Sequence, residues 1–461
     1  MSRERTRGRG LLVGLTAASL GVVYGYDLSN IAGALLFITD EFGLTTRHQE
    51  LVTSAVVLGE IAGALGAGVL ANAIGRRRSL VLVAAGYAVC ALLGAMSVSE
   101  PMLVVARLLL GVTIGVSVVV VPVFVAESVP AKSRGSLLVA YQVATVLGII
   151  AGYLTAYLLA DSHSWRWMLA LATVPATLVT LLVLRIPDTA RWYLFKGRVA
   201  EARQALQQVE PDSDVERELT EISEALREEG GGRFVEMLRQ PYLRGTFFVI
   251  ALGFFIQITG INAIVFYSPR LFEAMGFHGN FALLVLPAMV QAAALAAVLG
   301  SLVLVDRLGR RPILLSGIGT MITANVMLIG AFATHSAAIF GFLGVLLFTI
   351  GFNFGFGAMV WVYAGESFPS RLRSMGSSMM LTANLVANAV VAGVFLTMLH
   401  SLGGAGTFGV FGVLAVGALT VVYRFAPETK GRQLEEIRHF WENSGRWPAE
   451  VPTAASAPSW S

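Results

Sequence analysis

Charge is what this chain has least of. Only 13% of its 461 residues are Asp, Glu, Lys or Arg, against about a quarter in a soluble domain. So few charges cannot cover a water-soluble globule of this length. Lipid is therefore the solvent for most of the surface, and a hydrophobic content of 56% agrees. Cysteine is almost missing. Cys90 stands alone inside an apolar run, which excludes an intramolecular disulfide. The six histidines are dispersed. No metal-ligand cluster and no nucleotide-binding loop is present, so the pattern asks for no cofactor and argues against an enzyme. A net charge of +4 is small. Its basic residues recur in alternate loops, which is a topology signal and not a nucleic-acid patch.

What the chain does have is long apolar runs. A helix needs about 20 apolar residues to cross the hydrocarbon core. Candidate spans lie near 11–36, 51–72, 79–98, 102–125, 136–159 and 167–187, then near 245–271, 281–305, 313–333, 338–363, 375–398 and 406–425. Backbone groups in lipid must bond within their own segment, so these are helices. The expectation is an all-α membrane protein of about twelve transmembrane helices in two pseudo-symmetric six-helix bundles. Residues 1–187 form the first bundle and 244–426 the second. Residues 188–243 form a cytoplasmic helical linker, rich in Glu, Arg, Gln and Ala and closed by Gly230-Gly231-Gly232. Residues 427–461 form a tail, helical near 433–441 and then Pro/Ala/Ser-rich and disordered.

The loops fix the orientation. Arg76 to Arg78, Lys132 with Arg134, Arg307 with Arg310 and Arg311, and Arg371 with Arg373 fall in alternate connections. The opposite loops, 39–50, 97–101, 161–165, 273–280 and 400–406, are poorer in Lys and Arg. The bias puts both termini of a multi-pass protein in the cytoplasm, with the plasma membrane as the expected location. Arg3, Arg5, Arg7 and Arg9 precede the first run, which continues past Asp27 without a small-residue cleavage site, so it reads as an uncleaved helix.

The loop punctuation occurs twice. Gly75-Arg76-Arg77-Arg78 is echoed by Gly309-Arg310-Arg311-Pro312. Glu127-Ser128-Val129-Pro130 with Arg134 is echoed by Glu366-Ser367-Phe368-Pro369 with Arg373. The copies lie roughly 235–240 residues apart, far beyond the ~20–50-residue period of a solenoid. Duplicated halves with basic loops are the pattern of a transporter built from parallel repeats.

These motifs resemble those of the major facilitator superfamily, and within it the sugar porter branch. Asp306 to Pro312 resembles the loop motif after the eighth helix, and Pro427-Glu428-Thr429-Lys430-Gly431 the signature after the twelfth. Gly25-Tyr26-Asp27, Arg107 with Gly111 and Gly115, Trp165-Arg166-Trp167-Met168 and Gln257-Ile258-Thr259-Gly260-Ile261-Asn262 extend the resemblance over nearly the whole chain. It implies the major facilitator fold and proton-coupled import of a sugar, polyol or similar small polar solute by alternating access. A carrier or exporter of a non-sugar metabolite, or a non-transporting nutrient sensor, are the other readings. The partners implied are that solute, protons and the bilayer, with no nucleic acid.

Asp27 lies well inside the first span, where a charge costs at least ~2.5–3.5 kcal/mol and marks a function or a partner. The resemblance makes Asp27 and Arg107 the proton-coupling pair. It also assigns the sugar contacts. Gln257 and Asn262 offer amides on the seventh helix, Trp361 an aromatic face on the tenth, and Tyr24 an aromatic lining on the first. Asn384 on the eleventh stands where a glutamine is common, and Gln142 and Asn388 are further substrate-binding candidates. Arg76, Glu127, Arg134, Asp306, Arg310, Glu366, Arg373 and Glu428 form the expected cytoplasmic charge networks, which favour one access state when closed.

Several positions depart from the family pattern. Asn72 replaces a loop Asp and Ser374 a loop Gly. Ile149 and Ile256 each replace a glutamine, Phe266 replaces a tyrosine, and Ala358 replaces a helix-kinking proline. An apolar wall cannot satisfy a hydroxyl taken out of water. The expectation is weak transport of glucose and xylose, with a less polar sugar or another small metabolite preferred.

Overall fold

The computed structural model describes residues 13–128, 131–209, 214–229, 234–334, 338–368 and 370–430 and, beyond them, 440, 441, 443 and 447. The side chains at 131–136, 138, 139, 228, 229, 234, 306, 358, 364–366, 370, 371 and 373 lie outside that description. Twelve helices among the described residues are long and apolar enough to cross a membrane. In the first half these are α1 (Val13–Phe42), α2 (Thr46–Ile74), α3 (Arg76–Ala95), α4 (Glu100–Ser128), α5 (Ala140–Ala160) and α6 (Trp165–Val183). In the second half they are α7 (Leu243–Phe266), α8 (Phe281–Val305), α9 (Arg310–Ala333), α10 (Ala338–Tyr363), α11 (Ser374–Ser401) and α12 (Gly403–Phe425).

Several helix ends differ by a few residues from the sequence expectation, two of them next to residues of interest. The first helix runs on to Phe42 instead of ending near residue 36, because Gly43 is the first residue able to take the left-handed C-cap, at φ 61°. Thr39 to Phe42, read from the sequence as loop, are therefore helical. The sixth span closes at Val183, and Asp188 and Thr189 then lead into the short helix Ala190–Phe195. Between the halves lie four short helices, Ala190–Phe195, Val199–Val209, Val215–Glu229 and Phe234–Met237. Ala190, Ala202, Ala205 and Leu219 pack among them as a small core of their own.

Inside each half the helices pack in close pairs. In the first, α1 lies along α5 and α2 along α4; in the second, α7 lies along α11 and α9 along α10 and α12. Small residues permit this approach. A Cβ at Gly25 would sit 1.8 Å from the Thr145 carbonyl oxygen, and one at Gly115 would sit 2.1 Å from that of Glu60. The halves meet through α2 against α11 and α5 against α8. Under a two-fold relation of the halves these two contacts are equivalent, since helix n of the first half corresponds to helix n+6 of the second. Outward-facing positions carry Leu65, Val69, Leu158, Val326 and Val413, all exposed. That is what a lipid-facing surface requires.

The tail helix expected near 433–441 falls almost wholly outside the described residues, as does the disorder expected beyond it. Phe440 and Trp441 are described and buried. Trp441 packs on Phe248 near the start of α7, with ring centroids 5.7 Å apart.

Candidate functional site

The pair expected to couple protons comes together. Arg107 Nη1 donates to Asp27 Oδ1 at 2.5 Å, joining α4 to α1, and both side chains are almost fully buried. The pair does not satisfy every atom. Asp27 Oδ2 and Arg107 Nε and Nη2 have no hydrogen-bond partner among the described residues. They face a small cavity shared with Asn30, Tyr87, Cys90 and Leu169. Asn30 Nδ2 and Tyr26 Oη both donate to the Met168 carbonyl, at 2.9 and 3.3 Å, which ties this stretch of α1 to α6.

A second acid sits nearby that the sequence reading passed over. Glu60 on α2 is 1% exposed, and neither of its carboxyl oxygens has a hydrogen-bond partner among the described residues. It is close enough to Asp27 and Arg107 to feel both charges. The signal was present: Glu60 is the one charged residue between Glu50 and Arg76, inside a span where an acid is expensive. Tyr24 faces the same cluster. It interacts with Glu60, Tyr141 and Asp27, and it lines a second small cavity with Tyr87 and Ser117.

In the second half, α7 is not one continuous helix. It breaks after Ile258 and resumes at Ile261, with Gly260 at φ 101°. The ring of Phe411 lies 2.6 Å from where a Cβ at Gly260 would stand, so both the backbone angle and the packing call for glycine. An unwound turn inside a membrane helix is tolerated where it lines a cavity or is buried in protein. Gln257 and Asn262 flank the break. Asn262 Nδ2 donates to Asn388 Oδ1 on α11 at 3.1 Å, while Gln257 Oε1 is left without a partner. α10 is also interrupted, at Gly355, where the Phe354 carbonyl accepts from Ser301 Oγ at 2.8 Å. Gly351 and Gly355 abut Gly317 of α9, so this glycine run serves close packing.

The remaining candidates are not gathered round the amide pair. Among the described residues Gln142, Asn384 and Trp361 make no side-chain hydrogen bond to Asn262 or Asn388. Asn384 is buried, Gln142 half-buried, and Trp361 on the second segment of α10 is 43% exposed. Ile149 and Ile256, which stand in place of glutamines, are buried among apolar neighbours.

The basic loops form two matching seats. In the first, Asp188 Oδ1 accepts from the backbone N–H of Arg76, Arg77 and Thr189 at 3.1, 3.2 and 2.9 Å. In the second, Glu428 accepts from the N–H of Arg310, Arg311 and Lys430 at 3.1, 3.1 and 2.9 Å. Each carboxylate thus caps the N-terminus of a helix, α3 or α9, where exposed N–H groups and the helix dipole favour negative charge. Each is admitted by the glycine before the arginines, Gly75 at φ 101° or Gly309 at φ 97°. Burial pushes the Asp188 carboxyl above the usual range, against the hydrogen bonds that pull it down. Beside the first seat Arg76 pairs with Glu127 at 3.1 Å, and Thr189 Oγ1 donates to the same carboxylate at 2.6 Å. Asn72, in place of an acid, still accepts from Arg76 at 3.1 Å. The side chains of Arg134, Asp306, Glu366 and Arg373 lie outside the described ones.

On the face opposite the arginine loops the halves are bolted together. Thr397 on α11 donates through its N–H and its Oγ1 to Glu50 on α2, at 2.7 and 2.8 Å. Tyr153 Oη donates to the Val265 carbonyl at 2.5 Å, and Asn280 to Asp161 at 3.0 Å. These hydrogen bonds between the two six-helix halves lie toward this face and hold the halves together there.

Comparison with known proteins agrees with this architecture. The family model described as "Sugar (and other) transporter" matches residues 13–441. The galactose-proton symporter of Escherichia coli strain K12 is 34% identical over 427 residues, covering 91% of this chain and 92% of that protein. The arabinose-proton symporter of the same strain is 32% identical over 444 residues, covering 95% and 94%. Among solved structures, the proton:xylose symporter XylE bound to 6-bromo-6-deoxy-D-glucose superposes with a TM-score of 0.81 at 24% identity. It covers 95% of this chain and 100% of that one.

Proposed function

Because the chain belongs to the sugar transporter family, in the sugar porter branch of the major facilitator superfamily, we propose that it imports a sugar together with protons by alternating access. The observation that carries the proton coupling is the buried Asp27–Arg107 pair. While the two are in contact the guanidinium satisfies one Asp27 oxygen with a charge-assisted hydrogen bond. Moving α4 against α1 separates them, and the isolated carboxyl then takes a proton. The solute site lies at the broken turn of α7, where Gln257 offers an unpaired oxygen and Asn262 an amide already oriented by Asn388. Tyr24, Gln142, Asn384 and Trp361 complete it as the halves rock. The arginine loops face the cytoplasm of the cell membrane, in keeping with the positive-inside bias. The hydrogen bonds joining the halves on the opposite face favour a state that opens inward.

The apolar Ile149 and Ile256 favour a sugar with fewer hydroxyls than glucose. Counterflow in proteoliposomes tests both parts of the reading. D-galactose, L-arabinose, D-xylose, D-glucose and their deoxy forms are offered with and without an inward proton gradient. Accumulation of at least one sugar only under the gradient is expected. Accumulation that ignores the gradient contradicts the coupling, and tight proton-driven glucose uptake contradicts the selectivity.

A further inference from the structure

The coupling site holds two acids and one base. Asp27 and Glu60 are both buried, and within the described membrane interior Arg107 is the only cation acting on them. With both acids ionised the cluster would carry a surplus negative charge in a low-dielectric interior. Asp27 has the guanidinium at 2.5 Å, whereas Glu60 has no hydrogen-bond donor on either oxygen. A carboxylate so placed neutralises by taking a proton. The groups facing it give no other remedy. Tyr24 lies on α1 and Tyr141, which also interacts with Ser117 of α4, on α5, while Tyr87 on α3 feels Asp27 and Arg107. α11, which packs on α2, has no titratable side chain between Arg373 and His400. Arg107 Nε and Nη2 have no partner among the described residues and so have hydrogen-bonding capacity to spare.

We propose that Glu60 is a second proton-carrying carboxyl of the transport cycle, sharing the Arg107 guanidinium with Asp27 and holding the proton in the conformation observed. The step balances simply: one proton from water adds to a Glu60 oxygen, and no other bond is made or broken. When α4 shifts, Arg107 exchanges Asp27 for Glu60, the Glu60 proton leaves to the cytoplasm and Asp27 takes one from the opposite face. On the return shift Asp27 hands its proton to Glu60, so one proton crosses per cycle. The two carboxyls therefore alternate, and the cluster never holds two bare negative charges. This inference rests on the proton-coupled reading above, but its first test needs no sugar.

Infrared spectroscopy of the purified full-length protein at neutral pH reads the C=O stretch of protonated carboxyls directly. The wild type should show a buried protonated band that Glu60→Gln removes. Asp27→Asn should remove it too, because the freed guanidinium then ionises Glu60. A band that persists in Glu60→Gln overturns the proposal, and one that persists in Asp27→Asn overturns the sharing of Arg107. Should Glu60→Gln fail to fold, wild type carrying carbon-13 glutamate decides the matter. The band moves if the proton is on glutamate and stays if it is on aspartate. Glu50, the other deeply buried glutamate, accepts two hydrogen bonds from Thr397, and Glu50→Gln in the labelled protein should leave the band in place. In proteoliposomes with D-galactose as the probe, Glu60→Gln should lose proton-driven accumulation and retain counterflow. If no sugar is moved by wild type either, the sugar reading fails while the infrared result stands.

Discussion

Replacing Asp188 by alanine removes one oxygen that three backbone N–H groups share, those of Arg76, Arg77 and Thr189. Asp188 is buried against the start of α3. Water cannot easily replace it, and the stranded donors should cost about 1–3 kcal/mol. Asparagine keeps an acceptor oxygen in the same place and drops the charge. Since burial already pushes this carboxyl upward, its ionised form gains little from the folded site. Asp188→Asn should therefore sit close to wild type at neutral pH. The pH dependence follows with a definite sign. A carboxyl raised on folding binds more protons in the native state, so its contribution to stability is greatest in acid. That contribution falls as pH rises from the ordinary Asp range through the raised one. Asp188→Asn should abolish that slope. Cys90 supplies the assay, being the only cysteine and buried. A thiol-reactive dye in detergent reports unfolding as that thiol becomes exposed. If a half-bundle unfolds as a unit, 1–3 kcal/mol corresponds to a fall of about 2–12 °C for Asp188→Ala. An alanine variant as stable as wild type, or an asparagine variant as weak as alanine, would refute the reasoning.

Gly309→Ala should displace Glu428, because its Cβ would lie 2.5 Å from Glu428 Oε2 at a φ of 97° that costs a non-glycine residue about 1–3 kcal/mol. Gly75→Ala should do the same to Asp188, and both are read by the same dye assay. Asn262→Ala leaves a partner unpaired and should weaken sugar binding several-fold to about a hundred-fold, corresponding to ~1–3 kcal/mol. Asn388→Ala should do so less, since it acts by orienting Asn262, and equilibrium binding of the best counterflow sugar separates the two. Thr397→Val removes one bond to Glu50 across the halves. It should shift the population toward the state open on that face by up to about tenfold, seen as faster labelling of a cysteine placed at Ser54, which is buried beside Gly393.

The membrane spans were legible because lipid leaves one answer for a long apolar run, and all twelve fall where hydropathy put them. Helix ends were less legible. The first helix stops at Gly43 through its backbone angle, which polarity at Thr39 and Asp40 does not report. The Asp27–Arg107 contact could be expected because both residues sit in a recognised motif. Asp188 stands in Pro187-Asp188-Thr189-Ala190-Arg191-Trp192, which keeps only the outline of the family's proline-rich stretch after the sixth helix, and its kinship with Glu428 shows only when each is seen on a helix N-terminus. Glu60 belongs to no motif, so motif reading passed it by. The cost of burying an acid was the clue, and only the packing of α1, α2 and α4 brings Glu60 near Asp27 and Arg107. The two breaks, at Gly260 and Gly355, were hidden because glycine in a membrane helix more often means close packing.

The central claim is that Asp27 couples protons to solute movement. Asp27→Asn, reconstituted beside wild type, tests it with one pair of fluxes: gradient-driven accumulation and gradient-free counterflow of the same sugar. The mutant should exchange sugar across the membrane and fail to concentrate it at any proton gradient. A mutant that still concentrates sugar in proportion to the gradient would contradict the account.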